Sequence, residues 1–358
     1  MKKVMVAMSG GVDSSVALVM LKEQYDVIGV TLKLHDGEFE SAGQKTCCSL
    51  SDIDDARQVA SRFDVMHYVY NMKDEFGKAV IGRFIDSYER GMTPNPCIDC
   101  NRYIKFDALL RRALSLGCDY ISTGHYARIE YDESRGRWLL KKAISEDGAN
   151  DKDQSYVLCD LTQEQLSHTL FPLGEMKKSE VREFAEKNGL VNAHKSDSQD
   201  ICFVPDGDYA GFIRRSTGKE YPPGDVTDTA GRVWGRHEGL INYTIGQRKG
   251  LGIAFGVPMY VIAKNMNNNT LVVGTSDELL VKSLTAFDLN WIAFEKPDKP
   301  FVCKAKTRYR MTEQPCTVCP NDDGSVYVEF DEPQRAITPG QRVVFYDGDI
   351  VLGGGIIS

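Results

Sequence analysis

The chain has 358 residues, with 43 Lys and Arg against 51 Asp and Glu and a formal net charge of −8. That length exceeds one ordinary hydrophobic core, so two or three domains are expected, and the acidic balance excludes a protein that binds nucleic acid over its whole surface, because phosphate backbones demand clustered Lys and Arg. No apolar stretch approaches the roughly 18 residues of a membrane span, and Met1-Lys-Lys runs into an apolar segment without a signal-peptide pattern; a cytoplasmic enzyme is expected, with ten dispersed cysteines available for chemistry rather than for structural disulfides.

In chain order, residues 4–8 read as a strand, followed by the turn Ser9-Gly-Gly-Val-Asp-Ser-Ser15 and an apolar helix over 16–21. Residues 27–34 form a second strand candidate, Ser51-Asp-Ile-Asp54 a capped helix start, and 66–70 a third strand. Two prolines, Pro94 and Pro96, predict an extended loop before a helix over 104–116 that stops at Gly117. A strand over 120–123 then runs into Gly124-His125-Tyr126, and a helix over 179–188 is stopped by Gly189. Strands alternating with helices predict an α/β class with a doubly wound parallel sheet, in which ligands sit at the carboxyl ends of strands. Ser9 to Ser15 and Gly124-His125 therefore belong on one rim. Past residue 208 short alternating strands and Gly, Pro and Asn-Asp turns take over, which predicts a catalytic domain at 1–207, a small mainly β domain at 208–284 and a barrel or sandwich of its own at 285–358.

The Ser9–Ser15 turn places two glycines, Asp13 and hydroxyls between a strand and a helix N-terminus, where backbone N–H groups cradle a multiply charged phosphate. It lacks the Gly-Lys-Ser/Thr ending of a Walker A loop and the G-x-G-x-x-G of a dinucleotide fold, so ordinary kinases and dehydrogenases lose their main support. It resembles instead the pyrophosphate-binding loop of the ATP pyrophosphatases; the bland alternative is a ligand-free turn.

Cys97-Ile-Asp-Cys100 follows the two prolines, and a helix N-terminus favours a thiolate, so at least one of these thiols is expected to be reactive. A single C-x-x-C leaves redox, zinc and catalytic roles open. Cys202, in Ser198-Gln-Asp-Ile-Cys-Phe203, is a third candidate, whereas Cys118, Cys159 and Cys303 read as core. Cys47-Cys48 and Cys316-x-x-Cys319 stay open, although a zinc site joining Cys97-x-x-Cys100 to Cys316-x-x-Cys319 would span a gap far beyond the usual roughly 15–20 residues. Lys304, Lys306, Arg308 and Arg310 recur at period two and predict a one-sided basic strand for a phosphate backbone. Tyr243-Thr-Ile-Gly-Gln-Arg-Lys-Gly250 adds two more cations.

Together with Asn95-Pro96, Cys100-Asn-Arg-Tyr-Ile-Lys-Phe106, Gly124-His-Tyr-Ala127, Lys152-Asp-Gln-Ser-Tyr156, Arg308-Tyr309 and Pro333-Gln-Arg-Ala-Ile-Thr-Pro-Gly-Gln341, these segments run from residue 9 to 341 in family order. The whole chain resembles the tRNA-specific 2-thiouridylases, which replace the C2 oxygen of the wobble uridine with sulfur. The resemblance implies an adenine-nucleotide α-hydrolase-like first domain with ATP in the loop Ala7, Met8, Ser9, Gly10, Gly11, Val12, Asp13 and Ser14, Leu32 and Gly124 against the adenosine, and Mg2+ held in part by Asp13. It implies that Cys202 accepts a persulfide, that Cys100 attacks it to leave a Cys100–Cys202 disulfide, that Asn95, Pro96 and residue 97 line the flipped base, and that His125, Lys152, Asp153, Gln154, Arg308, Tyr309 and Gln341 touch tRNA. The partners implied are a tRNA with a wobble uridine and a sulfur-donor protein or inorganic sulfide.

One position departs: the relay pattern carries Asp where this chain has Cys97. Cys97, Cys100 and Cys202 thus become candidate ligands of a [4Fe-4S] cluster, as in related thiolases, with zinc a further option. A small-molecule ligase or amidase would share the ATP loop but needs neither thiols nor basic strand. A non-catalytic tRNA binder needs no Asp13, and a thioredoxin-like oxidoreductase has no use for the ATP loop.

Overall fold

The computed structural model describes residues 1–35, 50–145, 148–149, 152–196 and 201–358. The first strands are β1 (Lys3–Ala7), β2 (Asp26–Lys33), β3 (Met66–Asn71), β4 (Tyr120–Ser122) and the short β5 (Thr169–Leu170), hydrogen-bonded all in parallel in the order β3-β2-β1-β4-β5. The pleat of β1 shows why a helix layer covers each face: Val4 and Val6 pack with α1 (Val12–Lys22), α2 (Leu50–Arg62) and α3 (Lys178–Lys187) through Val16, Leu18, Ala56, Val59, Val181 and Ala185. Met5, between them, points to the other face, where Phe76, Val80, Phe84, Ile104 and Leu109 lie. The expected doubly wound α/β class is what the chain forms.

Two helical rods make that second face. One joins Lys73–Phe76, Gly77–Gly82 and Arg83–Glu89; the other joins Pro96–Asp99, Cys100–Ala108 and Leu109–Ser115. In each rod the middle segment is π-helical. The expected extended loop before residue 104 is corrected here: Pro96 occupies the first helical position, where its missing N–H costs nothing, and Asn95 caps the helix by accepting a hydrogen bond from the Cys97 N–H at 3.2 Å.

A four-stranded sheet follows, of Gly224–Asp228, Val233–His237, Tyr260–Asn265 and Thr270–Gly274. The remaining strands are β6 (Leu280–Trp291), β7 (Phe301–Lys306), β8 (Gln314–Pro320), β9 (Val326–Arg335), β10 (Arg342–Asp347) and β11 (Ile350–Ile357). They close into a barrel because β6 pairs with both β9 and β11. β6 spans the expected boundary at 284/285. The barrel is not wholly separate: a hairpin of the first domain, Ala127–Asp132 with Arg137–Lys142, adds to its edge through Ile350 and Lys141. Cys303 and Cys316 face each other across β7 and β8 in its core, sulfurs 3.7 Å apart. Cys118 and Cys159 are buried as expected, and Cys47 and Cys48 lie outside the described residues.

The basic strand is not a ladder. β7 ends at Lys306, whose ammonium lies 3.4 Å from Glu313 and over the Tyr346 ring. Arg308 sits past the strand end and donates to the Ala336 carbonyl at 2.6 Å and to Thr338 Oγ1 at 2.8 Å. Lys304, Arg308 and Arg310 are exposed and Lys306 is half-buried.

Candidate active site

The turn after β1 is built by close approach. Gly10 has φ +72°, and a Cβ there would fall 2.3 Å from the Asp52 carbonyl oxygen, so α2 packs directly on the loop backbone. Asn192 donates to the Gly10 carbonyl at 3.0 Å and to Ser15 Oγ at 2.9 Å, while Lys195 reaches the same carbonyl and both Asp52 and Asp55. Ser14 Oγ accepts from the Ser9 N–H and donates to the Gly11 carbonyl. The first turn of α1 borders, through Asp13 and Ser14, a cleft of about 320 Å3.

That cleft brings together most of the expected site. Ala7, Met8, Ser9, Asp13 and Ser14 line it, with Leu32 from β2 and Gly124 past the end of β4. A Cβ on Gly124 would meet the Ser14 nitrogen at 2.6 Å, so only glycine lets β4 close on the α1 N-terminus. The same cleft is lined by Pro96, Cys97, Cys100 and Lys105 from the second rod, and by Ile201, Cys202 and Phe203. Cys97 is exposed, Cys202 half-buried and Cys100 buried, the last two facing one space. Gly10, Gly11 and Val12 belong to the loop but not to the lining, and Asn95 caps the helix just outside it.

His125 and Gln154 line the cleft too. His125 Nδ1 is 2.7 Å from Thr123 Oγ1, and burial, helped by the Lys105 charge, holds its imidazole well below the ordinary pKa, so it is neutral near pH 7. Gln154 accepts from the Tyr126 N–H at 3.0 Å. Asp153 is an inward group: it accepts from the Ala143 N–H and from Ser155, and burial raises its carboxyl above the usual range. Lys152 is half-buried beside it.

The barrel comes up against the loop that leads into the thiol-bearing rod. The Tyr309 ring is tilted against that of Tyr156, their centres 6.1 Å apart; its phenol is raised by burial first and then by neighbouring Asp153 and Cys97. Gln341 donates to the Thr93 carbonyl at 2.7 Å, and the Thr93 N–H donates to the Pro339 carbonyl at 2.8 Å, so the barrel holds the loop that leads into Asn95, Pro96 and Cys97. Buried Arg342 pairs with Asp160, which also meets Arg102, and Arg102 reaches Asp288 on β6. The thiol-bearing rod is thus tied to the barrel at two places.

Three family models match in succession: a tRNA methyl transferase HUP domain over residues 2–206, a tRNA methyl transferase PRC-barrel domain over 210–275 and an aminomethyltransferase beta-barrel domain over 281–357. The chain is 54% identical to the tRNA-specific 2-thiouridylase MnmA of Acetivibrio thermocellus across 100% of this chain and 99% of that one. It belongs to the tRNA-specific 2-thiouridylase family. The homologue from Clostridioides difficile is 51% identical, with 100% and 98% covered. Among solved structures, the U34-tRNA thiolase NcsA from Methanococcus maripaludis with its [4Fe-4S] cluster is 19% identical, with a TM-score of 0.35 over 60% of this chain and 66% of that one. A likeness so slight says nothing about the chemistry of this 2-thiouridylase.

The residues present do not fit the candidate cluster. Cys97, Cys100 and Cys202 border one cleft, but among the described residues no three His, Cys, Asp or Glu side chains are gathered as a metal ion would require. Two site residues had gone unread in the sequence. Lys178, in the first turn of α3, donates to both Asp13 oxygens at 2.7 and 2.8 Å, and Tyr126 donates to Asp13 Oδ1 at 2.7 Å. A lysine 165 positions from its partner leaves no local signal.

Proposed function

We propose that this 2-thiouridylase converts the wobble uridine of tRNA to its 2-thio form, using ATP, with residues 1–207 as the adenylating and sulfur-transfer unit and 208–284 and 285–358 as the units that engage the tRNA. The observation that carries this reading is a single cleft lined both by the phosphate-type loop and by Cys100 with Cys202. An ATP ligase acting on a small molecule needs only the loop.

The uracil O2 attacks the α-phosphorus of ATP; the bond to the bridging oxygen breaks, pyrophosphate leaves with the electron pair, and the N3 proton goes to water. Backbone N–H groups of the loop and the α1 N-terminus offset the charge that develops. Asp13 is the carboxylate that would hold Mg2+ arriving on the triphosphate, and the ion would supply further neutralisation; the present partners of Asp13, an ammonium and a phenol, are donors that phosphate oxygens can take over. The terminal sulfur of a Cys202 persulfide, filled by a sulfur-donor protein, then adds to C2. Cys100 attacks the Cys202 sulfur and breaks the S–S bond, and collapse to the thione expels AMP. The Cys100–Cys202 disulfide that remains is returned to thiols by a dithiol reductant. Asn95, Pro96 and Cys97 border the flipped base, with His125, Lys152, Gln154 and Tyr309 on the side where tRNA approaches, and Asp153, Arg308 and Gln341 bracing those loops.

The test is product analysis with unmodified tRNA. ATP is expected to give AMP and pyrophosphate; ADP and phosphate would overturn the reading. Cys100→Ser and Cys202→Ser should abolish 2-thiouridine while leaving adenylation. Cys97→Asp should keep activity in an iron-free protein supplied with a persulfide donor. Loss of bound iron together with thiolation in all three variants would restore the cluster.

A further inference from the structure

Lys105 stands in the cleft without an assigned task. The π-helical segment Cys100–Ala108 closes its turns five residues apart, so Lys105 lies one turn beyond Cys100 on the same face, and both side chains line the cleft. An α-helical register would swing it away. Its ammonium donates to Asn101 Oδ1 at 3.0 Å; Asn101 is 2% exposed and is itself fixed by donating to the Val157 carbonyl at 2.9 Å. Among the described residues Lys105 makes no ion pair with a carboxylate, whereas Lys178 and Lys195 both do. Lys178, outside the lining, is neutralised by Asp13, whereas Lys105 lines the cleft itself and brings positive charge to a space bordered by neutral His125 and Cys100.

We propose that Lys105 is a catalytic residue that binds the α-phosphate through both steps of the reaction. The inference rests on the adenylation reading above. The β- and γ-phosphates belong at the loop end, beside the helix N-terminus, and the base must meet the thiols at the other. The phosphorus that joins them lies between, within the field of Lys105. No proton is transferred by this lysine: it stays an ammonium, offsets the extra negative charge on the α-phosphate oxygens as O2 attacks and pyrophosphate departs, and then stabilises the AMP expelled by sulfur. Asn101 aims it.

The experiment compares Lys105→Met and Lys105→Arg with the wild-type protein, using ATP and the two diastereomers of ATPαS with unmodified tRNA, and follows AMP or AMPS and pyrophosphate. Removal of one preorganised donor to a transition-state oxygen is expected to lower kcat on the order of 10²-fold with KM for ATP little changed, and Lys105→Arg should recover part of it. One ATPαS diastereomer should react more slowly than ATP in the wild type, and that difference should disappear in Lys105→Met, since the lost contact can no longer sense the sulfur. A purely structural role would leave the sulfur effect intact in the variant, and an unchanged kcat would mean the lysine makes no such contact; either overturns the proposal. If the wild-type protein itself forms no AMP, the adenylation reading has failed rather than the assignment of Lys105.

Discussion

Gly124 lies just past β4, where its backbone passes the first turn of α1 so closely that a methyl group would sit 2.6 Å from the Ser14 nitrogen and 2.7 Å from the Asp13 carbonyl carbon. These are backbone atoms at the N-terminal end of the helix and cannot swing aside as a side chain would. Gly124→Ala is therefore expected to push β4 and α1 apart and to raise KM for ATP on the order of tenfold, the equivalent of the lower part of the about 1–3 kcal/mol that overpacking costs. Titration calorimetry with ATP beside an unfolding curve checks this; unchanged affinity in a folded variant would show that the loop tolerates a wider gap. At this scale the sequence was informative for a plain reason. A short motif between a strand and a helix carries its own geometry, so Ser9, Asp13, Ser14 and Gly124 could be set on one rim without coordinates. Lys178 and Asn192 could not, because their contacts to the loop depend on how a helix and a turn more than 160 residues later come to rest.

The helix that carries Cys97 and Cys100 shows where element-level reading stops. Asn95-Pro96 is a cap followed by a first-position proline, a pattern that starts helices, yet the two prolines also suited an extended loop. The π-helical turn that brings Lys105 over Cys100 has no sequence signal at all. The basic strand failed for a different reason: period two holds only while the strand lasts, and it ends at Lys306. What holds the thiol helix from outside is a barrel turn in which Gly340 has φ +89° and a Cβ would meet Met92 Cβ at 2.8 Å and the Thr93 nitrogen at 2.9 Å. Gly340→Ala combines a strained φ with a steric clash, and should lower stability by about 1–3 kcal/mol and reduce 2-thiouridine yield while leaving KM for ATP near its wild-type value. Denaturant unfolding and the two assays run on one preparation decide it; a wild-type yield would mean that the turn is not a brace.

At the scale of the whole molecule, three domains were legible from the change of texture near residue 208, but their mutual docking was not. The middle sheet rests on the first domain through Lys264, whose ammonium donates to the Tyr243 carbonyl at 3.0 Å and lies 5.8 Å from the centre of the Tyr88 ring. Met266 lies against Gly91 beside it. Burial pushes the Lys264 pKa down to about 8, and burial also lifts Tyr88 to about 12, so Tyr88 stays neutral across the range in which Lys264 titrates. An unfolded lysine holds its proton to about 10.4. Between about pH 8 and 10.4 the unfolded chain thus binds more protons at this position than the folded one, and stability contributed here rises with pH; below about 8 both forms are charged and the burial penalty is present in full. Lys264→Met should therefore be more stable than the wild type at pH 7, and the gap should narrow steadily from pH 8 toward pH 10 as the wild-type lysine loses its charge. Denaturant midpoints of the two proteins at pH 7, 8, 9 and 10 measure it. A gap that stays constant, or widens as pH rises, would show that this lysine keeps its charge in the folded protein and that the contact between the domains is solvated.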